Sequence, residues 1–284
     1  MSETTPLLCL LYEDVVRRAL LEDLGRAGDI TTDAIAPPEL AGRAAVVARA
    51  AGRVAGLEPA LHAFRLLDSD CRMDVRLRDG SDALAGDVVA RVTASARALL
   101  AAERTALNLL GHLSGIATVT RDVVKRLDGL KTRVACTRKT TPGLRALEKH
   151  AVRVGGGSTH RYGLDDAVLV KDNHVALAGG IAEAVLRVRM SVGHLVKVEV
   201  EVDTLAQLDD ALAIGVDAVL LDNMDLATLR EAVRRARGRT LTEASGGIHP
   251  ENVREVADTG VDLVSLGWLT HSAPALDVAL DVEA

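Results

Sequence analysis

The sequence predicts an α/β protein in which a small mixed N-terminal domain precedes a (β/α) barrel. Three observations carry that reading. From Lys131 onward, six apolar, β-branched runs alternate with helical patterns in units of about twenty to thirty residues, a rhythm that implies parallel pairing. Every run ends in groups able to do chemistry, as a barrel gathers its site at the C-terminal ends of its strands. The G-x-G-x-x-G turn expected of an open dinucleotide-binding sheet is missing.

Taken in order, Glu13 to Leu24 form an amphipathic helix with Val15, Val16, Ala19, Leu20 and Leu24 on its apolar stripe. After Gly28-Asp29 and Pro37-Pro38, short alternating segments at Arg43–Arg49, Cys71–Arg78 and Val88–Thr93 read as strands, punctuated by Gly52, Gly56, Gly80 and Gly86. A long, mostly helical stretch runs from Ser95 to Leu127. The six runs follow at Thr132–Cys136, Ala167–Val170, Val196–Val202, Asp217–Leu221, Thr240–Glu243 and Asp262–Leu266. Between them lie helices at Ile181–Met190, Leu205–Ala213 behind the Thr204-x-x-Gln207 capping box, Leu226–Arg237, and Glu251–Asp258 after Pro250. Thr141-Pro142 opens a further helix, whose Arg145, Lys149 and Arg153 recur every four residues and can simply be worn on its surface.

The chain has 284 residues, a formal charge of −6 and only four aromatic side chains, Tyr12, Phe64, Tyr162 and Trp268. An acidic, ring-poor protein lacks both the electrostatic footprint of a nucleic-acid binder and the platforms that stack unpaired bases. Nucleic acid is therefore excluded as a main partner. Cys9, Cys71 and Cys136 are odd in number and form no C-x-x-C pair, which fits a reducing cytoplasm better than a disulfide framework. Glu3 before the short apolar run Pro6–Leu11 does not make a signal peptide, and no stretch is long and apolar enough for a membrane span. The net charge hides an asymmetry. Lys131 to His174 hold nine Lys/Arg against four acids, a net +5 that leaves −11 for the remainder.

The strand ends carry distinct chemistries. Ser245-Gly246-Gly247 and Gly267 follow the last two runs, where barrels often bind phosphate because glycine lets backbone N–H groups approach the oxygens; two tight turns would give the same pattern. Glu201 and Asp222 end neighbouring strands and can serve as acid and base or hold a hydrated Mg²⁺ shared with substrate phosphates. Glu199, Glu201 and Asp203 alternate on one strand face, so a positive group must meet them, and a structural Lys/Arg network is the alternative. Arg138, Lys139, His160, Arg161 and Lys171 converge on the same mouth and call for a substrate with several negative charges. Zinc at His160 and His174 is unsupported by their spacing, whereas a Schiff base on Lys171 is a competing chemistry.

Together, Thr137-Arg-Lys-Thr-Thr-Pro-Gly143, Gly155-Gly-Gly-Ser-Thr-His-Arg161, Lys171-Asp-Asn-His174, Val198-Glu-Val-Glu-Val202, Leu220-Leu-Asp-Asn-Met224, Glu243-Ala-Ser-Gly-Gly-Ile248 and Leu269-Thr-His-Ser272 resemble the quinolinate phosphoribosyltransferases, also called nicotinate-nucleotide pyrophosphorylases (carboxylating). Glu22-Asp-Leu-Gly25, Gly28-Asp-Ile-Thr-Thr32 and Gly52-Arg-Val-Ala-Gly56 extend the likeness to the N-terminal part. The resemblance implies an N-terminal α/β sandwich over residues 1–115, rejoined by 270–284, and an incomplete (β/α) barrel of about seven strands over 116–269. It implies transfer of phosphoribosyl from phosphoribosyl diphosphate to quinolinate with loss of CO₂, Mg²⁺ as cofactor, and a cytoplasmic homodimer with sites at its interface. Lys139, Lys171, Glu201 and Asp222 become the catalytic set. Arg104 from the other subunit, Thr137, Arg138, Lys139, His160, Arg161 and Lys171 become quinolinate ligands. Glu201 and Asp222 face the ribose and Mg²⁺, and Ser245, Gly246, Gly247 and Gly267 hold the 5-phosphate. Thr159, Thr242 and Trp268 depart from the family's usual residues. A Lys171 Schiff-base aldolase and a non-catalytic anion-binding protein of the same fold are the rival readings.

Overall fold

The computed structural model describes residues 6–283, so Glu3 lies outside the described residues. The chain packs as two compact units: one holds the chain up to Arg121, Thr140–Gly156 and the residues from Leu269 on, and the other holds Asp122–Lys139 and Gly157–Trp268. Residues 140–156 pack among the contacts of the first unit. Among the described residues no helix is long and apolar enough to cross a membrane.

In chain order, α1 (Glu13–Leu24), α2 (Ile30–Ile35), β1 (Ala41–Ala48), β2 (Gly52–Arg53), α3 (Leu57–Leu67), β3 (Arg72–Val75), β4 (Asp82–Ala83) and β5 (Val88–Ser95) lead into the long α4 (Ala96–Arg126). Then come β6 (Arg133–Ala135), α5 (Arg145–Val154), β7 (Val168–Val170), α6 (Asp172–Ala178), α7 (Ile181–Ser191), β8 (Val198–Val202), α8 (Leu205–Ile214) and β9 (Ala218–Asp222). The chain ends with α9 (Leu226–Ala236), β10 (Leu241–Ser245), α10 (Val253–Ala257), β11 (Leu263–Ser265), α11 (Trp268–His271) and β12 (Val278–Glu283).

The first unit is built on an antiparallel sheet in the order β12-β1-β5-β3. The C-terminal strand β12 pairs with β1 from Arg43↔Glu283 to Ala48↔Val278. Its approach is set by glycine: a Cβ at Gly115 of α4 would collide with the Pro274 carbonyl. α5 differs from its sequence reading. Gly143, at φ 83, closes a left-handed turn after Pro142, so the helix starts only at Arg145. Its charges are not all worn outside either, because Glu148, Lys149 and His150 are buried while Arg153 is exposed. Glu148 accepts the Thr141 amide at 3.1 Å and meets His112 Nε2 at 2.9 Å; His150 Nε2 meets Asp79 at 2.9 Å. Glu148→Ala should lower unfolding free energy by about 2 kcal/mol, since it takes the shared acceptor from the partly buried His112 ring and Thr141 amide, and chemical denaturation measures it.

The second unit is a six-stranded parallel sheet in the order β6-β11-β10-β9-β8-β7, with helices between consecutive strands. It is not a closed barrel, and the expected seventh strand is reduced to one bridge, Ser158 to Ala135, beside β6. The reason lies in the backbone donors. Arg161 N–H is taken by His160 Nδ1, and the Tyr162 and Gly163 N–H groups by the Asp166 carboxylate, so three successive amides are lost to side chains. Val134, Val170, Val200, Val202, Val219, Leu221, Ala244 and Val264 bury one face of this sheet at 2% exposure or less. Thr242 is also buried, and its hydroxyl is satisfied by Asp262 at 2.8 Å.

Candidate active site

Register decides which side chains share the opposite face of that sheet. Parallel pairing sets Leu169 beside Glu199, Glu201 beside Leu220, Glu243 beside Leu220 and Leu263, and Ser245 beside Asp222. Because side chains alternate, Lys171, Glu199, Glu201, Asp222, Glu243 and Ser245 all rise from one face. The alternation of Val198–Val202 was legible in sequence, and its burial follows it, with the valines inside and the glutamates partly covered.

The positive groups required by the β8 carboxylates are present. Lys171 Nζ donates to Glu201 Oε2 at 2.7 Å, and His160 Nε2 stands 2.9 Å from Glu199 Oε2 and 3.7 Å from Glu243 Oε1. The sequence shows Glu199 only as one of the alternating acids in need of a positive partner, and it assigns Glu243 no role in the site at all. Their signal was positional: Glu199 precedes Glu201 by two, and Glu243 precedes Ser245 by two. Asp203 is exposed, and its amide goes to Gln207 as part of the α8 cap.

Burial, and next the nearby Arg138 guanidinium, push the Arg161 guanidinium below its ordinary value, with Glu199 and Asp166 opposing. Two partly buried cations held within electrostatic reach of each other destabilise the unliganded site and favour an anion that can bridge them. Lys139 is exposed on the same loop, whose turn is fixed by Thr137 Oγ1 accepting the Lys139 amide at 3.0 Å. The Thr137 hydroxyl therefore shapes the loop. Lys171 is 46% exposed and caps α6, its amide donating to His174 Nδ1 at 2.9 Å.

On β9, Asp222 Oδ2 accepts from Asn223 Nδ2 at 2.6 Å, and Asn223 itself sits at φ 51 with its amide on the Ser245 carbonyl at 3.0 Å. That crossing explains Gly246. Its φ is 89, and a Cβ there would stand 2.9 Å from the Asn223 backbone nitrogen and still nearer the Asn223 side-chain oxygen. Gly246→Ala should raise the KM for a phosphorylated substrate about tenfold or more by displacing this turn, measurable by initial rates at fixed co-substrate. Gly247, at φ 60, faces open space. The helices after β10 and β11, α10 and α11, span five and four residues, so the donors offered there are turn amides instead of a helix terminus. A cavity of about 280 Å³ beside Ser245 and Gly246 is lined by Asp225 and Glu255 and by no Lys or Arg, so any anion there would depend on turn amides alone. Gly267 follows β11 beside the half-buried Trp268. Arg104 stands in the other unit, 64% exposed on α4.

Glu201 and Asp222 offer hard oxygen donors from adjacent strands; among the described residues neither belongs to a cluster of three protein ligands, and one oxygen of each is already hydrogen-bonded. Such a set fits Mg²⁺ held jointly with substrate phosphates and does not fit an all-protein cage.

Comparison with known proteins adds identity to this geometry. Residues 29–114 match the family described as quinolinate phosphoribosyl transferase, N-terminal domain, and residues 116–281 match its C-terminal domain. The chain is 46% identical over 277 residues to a nicotinate-nucleotide pyrophosphorylase [carboxylating] of Mycobacterium leprae, covering 95% of this chain and 96% of the relative. A probable enzyme of the same name from Bacillus subtilis is 43% identical over 96% of this chain and 94% of its own. The crystal structure of NadC from Streptococcus pyogenes superposes with a TM-score of 0.94 at 39% identity, over 99% of this chain and 100% of that one.

Proposed function

The chain belongs to the quinolinate phosphoribosyltransferase family, enzymes of NAD biosynthesis, and from that premise we propose how its own residues perform the reaction: quinolinate and phosphoribosyl diphosphate become nicotinate mononucleotide, CO₂ and diphosphate. The family match along nearly the whole chain carries the assignment, and the Arg138 and Arg161 guanidiniums, within electrostatic reach of each other, suit its substrate. Quinolinate presents two adjacent carboxylates, and two guanidiniums that repel each other are stabilised by a dianion between them. Lys139 and Lys171 add point charges for quinolinate and for the departing diphosphate.

Arg138 and Arg161 orient the ring so that its nitrogen faces C1 of the ribose. That nitrogen is a free base, so its attack requires positioning and no proton removal. Diphosphate leaves with both electrons of the C1–O bond, and Lys139 and Lys171 stabilise the charge that develops on it. Once alkylated, the ring nitrogen is cationic and accepts the electron pair released when the adjacent carboxylate departs as CO₂; a proton then replaces it. Glu201 and Asp222 face the ribose hydroxyls and would hold Mg²⁺, which supplies charge neutralisation for the diphosphate when bound. Ser245, Gly246, Gly247 and Gly267 receive the 5-phosphate. Arg104, exposed on α4, serves the mouth of a second subunit in a homodimer, and the three free cysteines suit a cytoplasmic setting.

A Schiff base on Lys171 is the weaker reading. A half-exposed amine ion-paired to Glu201 at 2.7 Å lacks the apolar surroundings that prepare a lysine for carbonyl attack. Product formation with quinolinate should depend on phosphoribosyl diphosphate, and nicotinate, with one carboxylate, should be turned over at least about tenfold less efficiently. Borohydride trapping of substrate on Lys171 would overturn the assignment.

A further inference from the structure

We propose that Glu199 and Glu243 are positioning residues that fix the tautomer of His160 and, through it, the backbone at Arg161; the proposal rests on the assignment of Arg161 to quinolinate. His160 is engaged at both ends. Its Nδ1 accepts the Arg161 amide N–H at 2.7 Å, so that nitrogen carries a lone pair and no proton. Its Nε2 faces Glu199 Oε2 at 2.9 Å and Glu243 Oε1 at 3.7 Å. A ring nitrogen facing acceptors donates, which places the imidazole proton on Nε2.

The two carboxylates approach from different strands, β8 and β10, and their side chains are only 12% and 4% exposed. They are therefore held by the sheet, and they hold the ring. With Nδ1 left as an acceptor, the Arg161 amide bends onto its neighbour's ring and leaves the strand path, and Asp166 takes the next two amides. Arg161 leaves the sheet edge at a fixed angle beside Arg138. With that frame the backbone from which the Arg161 side chain projects is set before substrate arrives. Both imidazole nitrogens being committed, His160 acts on quinolinate through Arg161.

Nitrogen-15 NMR of the histidine rings in the full-length protein tests this, with the His160 signals identified by their loss in His160→Gln. The expected pattern is an unprotonated Nδ1 and a protonated Nε2; a protonated Nδ1 overturns the proposal. Kinetics supply an independent arm. Glu199→Gln retains a carbonyl acceptor for Nε2–H and should stay within about threefold of wild type, whereas Glu199→Met combined with Glu243→Met should raise the quinolinate KM about a hundredfold and leave the phosphoribosyl diphosphate KM unchanged. Equal loss in the Gln and Met variants, or a change confined to phosphoribosyl diphosphate, overturns it. The NMR arm stands even for protein that does not turn over quinolinate, so failure of the substrate assignment and failure of the clamp are read separately.

Discussion

Arg161→Ala or Arg138→Ala should lower kcat/KM for quinolinate by about a hundredfold or more, with both a raised KM and a slower turnover. Each substitution removes one arm of the dianion site, and the arm that remains cannot hold the ring nitrogen on C1. The folded state should not suffer. Burial and like charge outweigh the attraction of Glu199 and Asp166 and lower the Arg161 guanidinium from its ordinary value, so its loss costs the unliganded protein little. Steady-state kinetics with a parallel thermal melt check both halves: activity falls and the melting temperature holds. Unchanged kinetics in both variants would contradict the site.

Glu201→Gln combined with Asp222→Asn should act on the other substrate. About a hundredfold or greater loss in kcat/KM for phosphoribosyl diphosphate is expected, with an increased Mg²⁺ requirement, while quinolinate binding measured by calorimetry persists. The Lys171 ammonium loses its ionic partner at 2.7 Å in this variant and becomes available to the added quinolinate charge, so binding should hold or tighten. Loss of quinolinate binding alone would reverse the roles given to the two strand ends.

The elements were legible in sequence wherever pattern and burial have one cause. β-branched runs with polar ends became the parallel strands, and the Val198–Val202 alternation became a strand with two different faces. Candidate residues at strand ends were legible for the same reason. Partnership was not. His160 meets Glu199 from 39 positions away on one strand and Glu243 on another, a convergence that exists only once register is set. α5 shows the limit most plainly. Arg145, Lys149 and Arg153 repeat like a solvated face, but Lys149 is buried, because the covering residues come from distant parts of the chain and leave no trace in the local period. The one bridge from Ser158 to Ala135 had no local signal either, and the capture of successive amides by His160 and Asp166 beyond it keeps that segment from pairing further.

The most direct measurement is release of labelled CO₂ from quinolinate carrying isotope in its 2-carboxylate, followed together with diphosphate in the presence of Mg²⁺. CO₂ and diphosphate should appear in equal amounts, only when both substrates are present, and both should fall together in Arg161→Ala. Diphosphate without CO₂, or CO₂ released in the absence of phosphoribosyl diphosphate, would contradict a site that joins the ring to ribose before it removes the carboxylate.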